Sequence, residues 1–164
     1  MGKKIEIAYF SAEIGISASI PTYSGGLGVL AGDHIKAAGD EGINLGGITL
    51  LYKEGYFKQR LDDEGIQTES YPRFDPYPLI KMMDVRFSIQ LRDRKVWIQP
   101  YKFDYVGESG KNVPIYFLDT DVDENCDQDK KITLRLYSGD DEHRVLQEAI
   151  LGIGGVKPVS YTHL

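Results

Sequence analysis

Cysteine is almost missing from this chain: 164 residues carry only Cys126. That excludes an internal disulfide framework and the CxxC patterns of zinc sites, and it fits the reducing cytoplasm. Long apolar runs are missing too. No stretch approaches the ~20 residues of a membrane span, and the opening "MGKKIEIAYF" has no apolar core of signal-peptide length. Met1-Gly2 is not followed by the Ser or Thr that a myristoylation signal needs. Positive charge is in deficit, with 19 Lys and Arg against 25 Asp and Glu, net −6. That balance argues against nucleic acid as a partner. The 3 histidines, His34, His143 and His163, lack partners at metal-ligand spacing, so no metal is expected. Neither an internal repeat nor a low-complexity segment is present.

What is there reads as one α/β unit. "IEIAYFSAE", Ile5 to Glu13, has the apolar, branched character of a strand buried in a parallel sheet. Pro21 forbids helix in the loop that follows. "LGVLAGDHIKAAGDEG" predicts a helix opening at glycines, with Leu27, Leu30, Ala31, Ile35 and Ala38 on its apolar side and Gly42 as its C-terminal cap. Leu45 to Tyr52 predicts a second strand, completing a βαβ unit. Beyond Gly55 the chain turns polar and proline-containing, and surface loops are expected as far as Leu79. Val85, Phe87, Ile89 and Leu91 alternate with polar residues, and Val96-Trp97-Ile98 follows "RDRK", which predicts an antiparallel hairpin or meander with Trp97 in the core. Val113 to Asp121 predicts another strand. Asp140 to Val156 predicts a helix capped by Asp140, with Val145, Leu146, Ala149, Ile150 and Ile153 as its stripe. Pro158 is expected to end it.

The glycine-rich turn carries the chemistry. "TYSGGLG" feeds directly into a helix N-terminus, where free N–H groups and the helix dipole favour an anion. Gly25, Gly26, Leu27 and Gly28 are the candidate backbone donors for a phosphate. The dinucleotide pattern G-x-G-x-x-G/A fits "GLGVLA", but a long loop, Ile14 to Ser24, separates it from its strand, against the Rossmann fingerprint. No Lys-Ser or Lys-Thr follows, so it is not a P-loop either. A valine at Gly26 or Gly28 is expected to cut turnover at least about tenfold and leave the lobe folded.

"AYFSAEIGI", "PTYSGGLGVLAGDHIKAAGDEG", "LLYKEGYFKQRLDDEGIQTESYP", "VPIYFLDTD" and "LYSGDDEHRVLQEAILGIGGV" closely resemble, in this order, the N-terminal part of α-glucan (glycogen, starch or maltodextrin) phosphorylases. The resemblance runs from about Ile5 to Lys157. It departs mildly at Ser138, where the family has glycine. Residues 158–164, "PVSYTHL", do not resemble the family and are expected to be a truncated or non-native tail. The resemblance implies residues 1–157 of a Rossmann-like N-terminal lobe, incomplete, from a two-lobed enzyme of the glycosyltransferase-B type, with an antiparallel meander inserted. It implies transfer of the terminal α-1,4-linked glucosyl unit of a glucan to inorganic phosphate, giving α-glucose 1-phosphate. It implies pyridoxal phosphate held by a lysine downstream of this chain, a glycine loop at Gly25, Gly26, Leu27 and Gly28 beside substrate and phosphate, and Glu13 near the cofactor. By the same resemblance the full-length enzyme is cytoplasmic and often a homodimer, whereas the fragment alone is expected to be inactive. Allosteric control built on N-terminal extensions is not expected.

Other readings stay open beside it. A starch or glycogen synthase shares a "GGLG" turn but carries Lys-Thr where this chain has Tyr23-Ser24. A stand-alone sugar- or phosphate-binding module is the non-enzymatic alternative. Asp62-Asp63 reads as a polar loop rather than a catalytic pair, and Lys58 and Arg60 read as surface. Tyr52, Tyr56 and Tyr101 fit sugar stacking and sheet edges equally well. Cys126 has no base beside it.

Overall fold

The computed structural model describes residues 5–161. The chain opens with β1 (Ile7–Phe10), crosses through helix α1 (Gly26–Asp40) and returns as β2 (Leu45–Leu50), parallel to β1. Helix α1 ends as its sequence predicts. Gly42 sits at φ 69° and donates to Gly39, while Ile43 donates to Ala38. Those two bonds satisfy the last carbonyls, and a residue without Cβ adopts that φ at no steric cost.

The expected loop region instead contains an antiparallel hairpin, β3 (Lys58–Leu61) with β4 (Gln67–Ser70), exposed along both strands. Its turn is built by Asp62, whose Oδ1 accepts from the amides of Glu64 and Ile66 at 3.0 and 2.8 Å. A short β5 (Lys81–Met82) precedes the predicted hairpin of β6 (Phe87–Leu91) and β7 (Arg94–Val106). The alternation is as read: Phe87, Ile89 and Leu91 are buried and Gln90 is exposed. Trp97 is only half-buried, because the same pleat sends its neighbours Val96 and Ile98 inward. Pro100 lies in β7 where that strand stops pairing with β6 and begins pairing with β5, a place that tolerates a missing donor.

The chain continues through β8 (Asn112–Asp119), the short α2 (Asp127–Lys130), α3 (Asp141–Ala149), a π turn at Ile150–Gly154 and α4 (Gly155–Tyr161). Asp140 caps α3, accepting from the His143 amide at 2.9 Å. The expected stripe is only partly inward: Ile150 is fully buried, but Val145 and Ile153 are 62% and 58% exposed. The π turn widens the helical repeat and so rotates Ile153 off the stripe. Pro158 does not end the helix; it is buried within α4, just after that change of hydrogen-bond register. Of the tail, Thr162–Leu164 lies outside the described residues.

The main sheet is mixed, in the order β1-β2-β8-β7-β5, with β1, β2 and β8 parallel and β7 antiparallel to β8. Alternation in β8 feeds two cores. Val113, Ile115 and Phe117 face α1, and Tyr116 and Leu118 face the side where Ile150 and β6 pack. Each fully buried aliphatic there contributes about 1.5–3 kcal/mol against exposure. Two expectations change. Strand β1 is the sheet edge, so Ile7 and Phe10 are 49% and 38% exposed rather than buried. On α1 the buried face is Gly28, Ala31, Gly32, Ile35, Ala38 and Gly39, and Leu27 and Leu30 point outward.

Small residues line that face because backbone lies against it. A Cβ on Gly32 would stand 2.1 Å from the Gly15 carbonyl oxygen, and one on Gly28 would stand 2.4 Å from the Tyr23 Cβ. Gly28 also accepts the Gly15 amide at 2.8 Å. A valine at Gly28 is therefore expected to disturb the fold, contrary to the sequence reading.

Candidate functional site

Because β1, β2 and β8 run parallel, their carboxyl ends share one edge of the sheet, the side where open α/β sheets bind ligands. The segments leaving those ends carry Glu13, then Tyr52 and Lys53, then Asp119 and Asp121. The glycine turn rises at the same edge, since the loop from β1 to α1 must begin there.

Gly25 is the N-cap of α1, in extended conformation, with no side chain capping the helix. A Cβ placed on Gly25 or on Gly26 would meet nothing within 4 Å, so the near side of the turn is open. The amides of Gly26, Leu27 and Gly28 belong to the first turn, which has no intrahelical acceptors. Val29 is the first to bond back, to Gly25 at 3.2 Å. The four glycine-loop residues thus divide: Gly25, Gly26 and Leu27 are exposed, and Gly28 is buried against Glu13 and Tyr23.

Glu13 is 1% exposed and sits under the turn. Its Oε2 accepts from the Ser24 amide at 2.7 Å, the Ser24 hydroxyl at 3.4 Å and the Gly25 amide at 3.4 Å. Its Oε1 accepts from the Tyr137 hydroxyl. The carboxylate so acts as an internal anion at the helix entrance, taking the Ser24 and Gly25 amides and leaving those of Gly26 to Gly28. The hydrogen bond to Glu13, reinforced by burial, pushes the Tyr137 phenol up to about 12. Burial, with Glu13 nearby, pushes the Tyr52 phenol far above its usual range. Both tyrosines therefore remain protonated donors at neutral pH. A cavity of about 350 Å³ opens beside them, lined also by Ala12, Asp141, Arg144 and Glu148.

Lys53 is the nearest buried cation to this edge, and it is already engaged. Its Nζ lies 2.7 Å from Asp119 and 3.0 Å from Asp121, and Asp121 also receives Arg73 at 2.9 Å. Burial works against the ammonium, but the two carboxylates outweigh it and raise its pKa. The lysine is held charged and occupied, so it is not free to receive an incoming anion.

The remaining sequence candidates fall elsewhere. Lys58, Arg60, Asp62 and Asp63 belong to the exposed hairpin. Asp140 caps a helix, and Cys126 is exposed with its thiol toward Asp129. Tyr52 and Tyr101 are buried, leaving Tyr56 exposed, stacked against Phe57 at 4.4 Å. Sequence reasoning missed Tyr137 as the partner of Glu13. Tyr137 lies 124 positions away, and no periodicity or spacing links residues that far apart.

No family model matches the chain. It is 44% identical to the glycogen phosphorylase of Mycobacterium tuberculosis (strain ATCC 25618 / H37Rv) over 95% of its residues, covering 18% of that protein. It is 43% identical to the maltodextrin phosphorylase of Thermococcus litoralis over 92% of its residues, again covering 18%. The glycogen phosphorylase of Aquifex aeolicus is 34% identical over 93% of the chain and is covered to 22%. The chain spans about a fifth of the length of these relatives. Nearly all of it thus matches a fragment of an α-glucan phosphorylase.

Proposed function

We propose that residues 1–157 are part of the N-terminal, Rossmann-like lobe of a two-lobed α-glucan phosphorylase. The full-length protein transfers the terminal α-1,4-linked glucosyl unit of a glucan to inorganic phosphate, yielding α-glucose 1-phosphate. The observation that carries this reading is the open entrance of α1: room beside Gly25 and Gly26, and first-turn amides from Gly26 to Gly28 without helical acceptors.

Phosphorolysis passes through an oxocarbenium-like state and needs a phosphate held against it, away from water. Backbone amides suit that task because they cannot lose their protons and are fixed before the reaction begins. Each contributes about 2–4 kcal/mol where charge develops, by analogy with oxyanion holes. Glu13 keeps the turn in shape and, being negative, confines the phosphate to the amides of Gly26, Leu27 and Gly28. When bound, pyridoxal phosphate, the cofactor implied by the resemblance, would supply a phosphate able to exchange protons with the substrate phosphate. The open side of the turn fits a wall of such a site. Lys53 does not fit as the attachment lysine, since Asp119 and Asp121 hold it. That lysine is expected outside this chain, and the fragment alone is expected to be inactive. The full-length protein is expected in the cytoplasm as a homodimer.

The test is phosphate-dependent release of glucose 1-phosphate from maltodextrin by the full-length protein. Consumption of ADP-glucose instead would make it a synthase and end this reading.

A further inference from the structure

We propose that Tyr137 is a positioning residue for the glycine turn, acting through Glu13; the inference rests on the phosphorylase reading of that turn.

Glu13 is a buried carboxylate that forms no ion pair among the described residues; every group donating to it is neutral. Its two oxygens have different partners. Oε2 holds the Ser24 and Gly25 amides, the residues that lead into α1. Oε1 is held by the Tyr137 hydroxyl. A carboxylate fixed at one oxygen can turn about its Cγ–Cδ bond; fixed at both, it presents Oε2 in one direction. The hydroxyl therefore decides where the Ser24 and Gly25 amides are drawn, and with them the direction of the next three amides.

Tyr137 is itself fixed. Its backbone lies at φ 55°, in the left-handed region that a tyrosine adopts only under constraint from its surroundings. Its ring meets Tyr56 edge-on at 6.5 Å, and the Arg144 guanidinium stands 5.7 Å from its centre. It precedes the cap of α3 by three positions, so the segment entering α3 is tied to the segment entering α1. The bland alternative is that Tyr137 merely satisfies a buried oxygen. That role would alter stability and leave phosphate affinity alone.

The experiment uses the full-length protein and Tyr137→Phe, which keeps the ring contacts and removes the hydroxyl. A displaced turn is expected to raise KM for inorganic phosphate about tenfold, with KM for maltodextrin within about twofold. Glu13→Gln is expected to act in the same direction. The double variant is expected to be no worse than the poorer single one, because both act through one bond. Hydrogen exchange at the Ser24 and Gly25 amides is expected to quicken in the folded variants. Unchanged phosphate KM in folded Tyr137→Phe overturns the proposal, as do effects that multiply in the double variant. If both single variants fail to fold, the bond is a stability element and the proposal is likewise overturned. A parent protein that releases no glucose 1-phosphate overturns the phosphorylase reading itself, a different result from normal turnover in Tyr137→Phe.

Discussion

Of the carboxylates that are buried almost completely, Glu13 at 1% and Asp129 at 2% exposure are treated by the fold in opposite ways. Asp129 receives Arg94 through both of its oxygens, at 2.7 to 3.2 Å. Its charge is neutralised by an arginine at the start of β7, in the β6–β7 hairpin. Glu13, at the carboxyl edge of the parallel strands, receives only hydroxyl and amide donors among the described residues. The first arrangement is what a buried charge needs to be tolerated. The second leaves a net negative charge against the entrance of a helix, and the dipoles around it are the same kind that an incoming anion uses. A buried charge left without a counter-charge among the described residues, beside an open surface, fits the binding edge proposed above; a buried charge with a bidentate guanidinium fits a structural role.

The largest expected effect tests the packing beneath the glycine turn. Gly32→Val and Gly28→Val force a Cβ to within 2.1 Å of the Gly15 carbonyl and 2.4 Å of the Tyr23 Cβ. Overpacking against backbone has little room to relax, and losses of about 3 kcal/mol or more are expected. Urea unfolding of the variants reads this directly, and a stability equal to the parent would show that α1 can shift.

Next is the structural pair. Arg94→Ala strands Asp129, and about 3 kcal/mol of destabilisation is expected, near the lower end for a broken buried pair because Arg94 is partly exposed. Glucose 1-phosphate release per folded full-length molecule is expected to be unaffected. A change in that ratio would erase the distinction between the two regions.

Gly26→Val is the opposite case. Its Cβ meets open space, so stability is expected to change by less than about 1 kcal/mol. Turnover of the full-length enzyme is expected to fall at least about tenfold, because the side chain occupies the approach to the amides. Retained turnover in a folded Gly26→Val enzyme would remove the glycine turn from the site.

The smallest effects are in pH. The hydrogen bonds from Arg94 hold the Asp129 carboxyl below the usual range. A depressed folded-state pKa stabilises the protein above the unfolded value, about 3.9, and that share is lost as acid carries the pH down through the folded value. Arg94→Ala is expected to flatten the acid limb of a melting-temperature profile. Tyr137 works at the other end. Its phenol is raised to about 12, so its share of stability is complete below the unfolded value of about 10 and is lost as pH rises from there. Tyr137→Phe is expected to flatten the alkaline limb only. If either variant altered both limbs, the two carboxylates would not be independent.

Local pattern was a good guide wherever one face of one element decides the outcome. The β6–β7 alternation, the Asp140 cap and the Gly42 terminus of α1 are all as read, since each depends on neighbours within a few positions. The reading failed where the partner was distant. Strand β1 is apolar enough for a central position but is an edge, and Leu27 and Leu30 look like core but yield the inner face to glycine and alanine. The polar hairpin of β3 and β4 lacks an apolar face altogether, so periodicity had no signal to offer.

The candidate site divides in the same way. By itself the sequence determined a glycine turn at a helix entrance and the motif order shared with phosphorylases, because these are properties of residue type and spacing; Glu13 entered only through that resemblance. Only the tertiary structure decided that Gly25 and Gly26 face open space while Gly28 and Gly32 face backbone, that Lys53 is engaged by two carboxylates, and that Tyr137 reaches Glu13. The physical reason is that a Cβ clash and a hydrogen bond are fixed by distances of a few ångströms in space, and along a folded chain such distances bear no relation to separation in sequence.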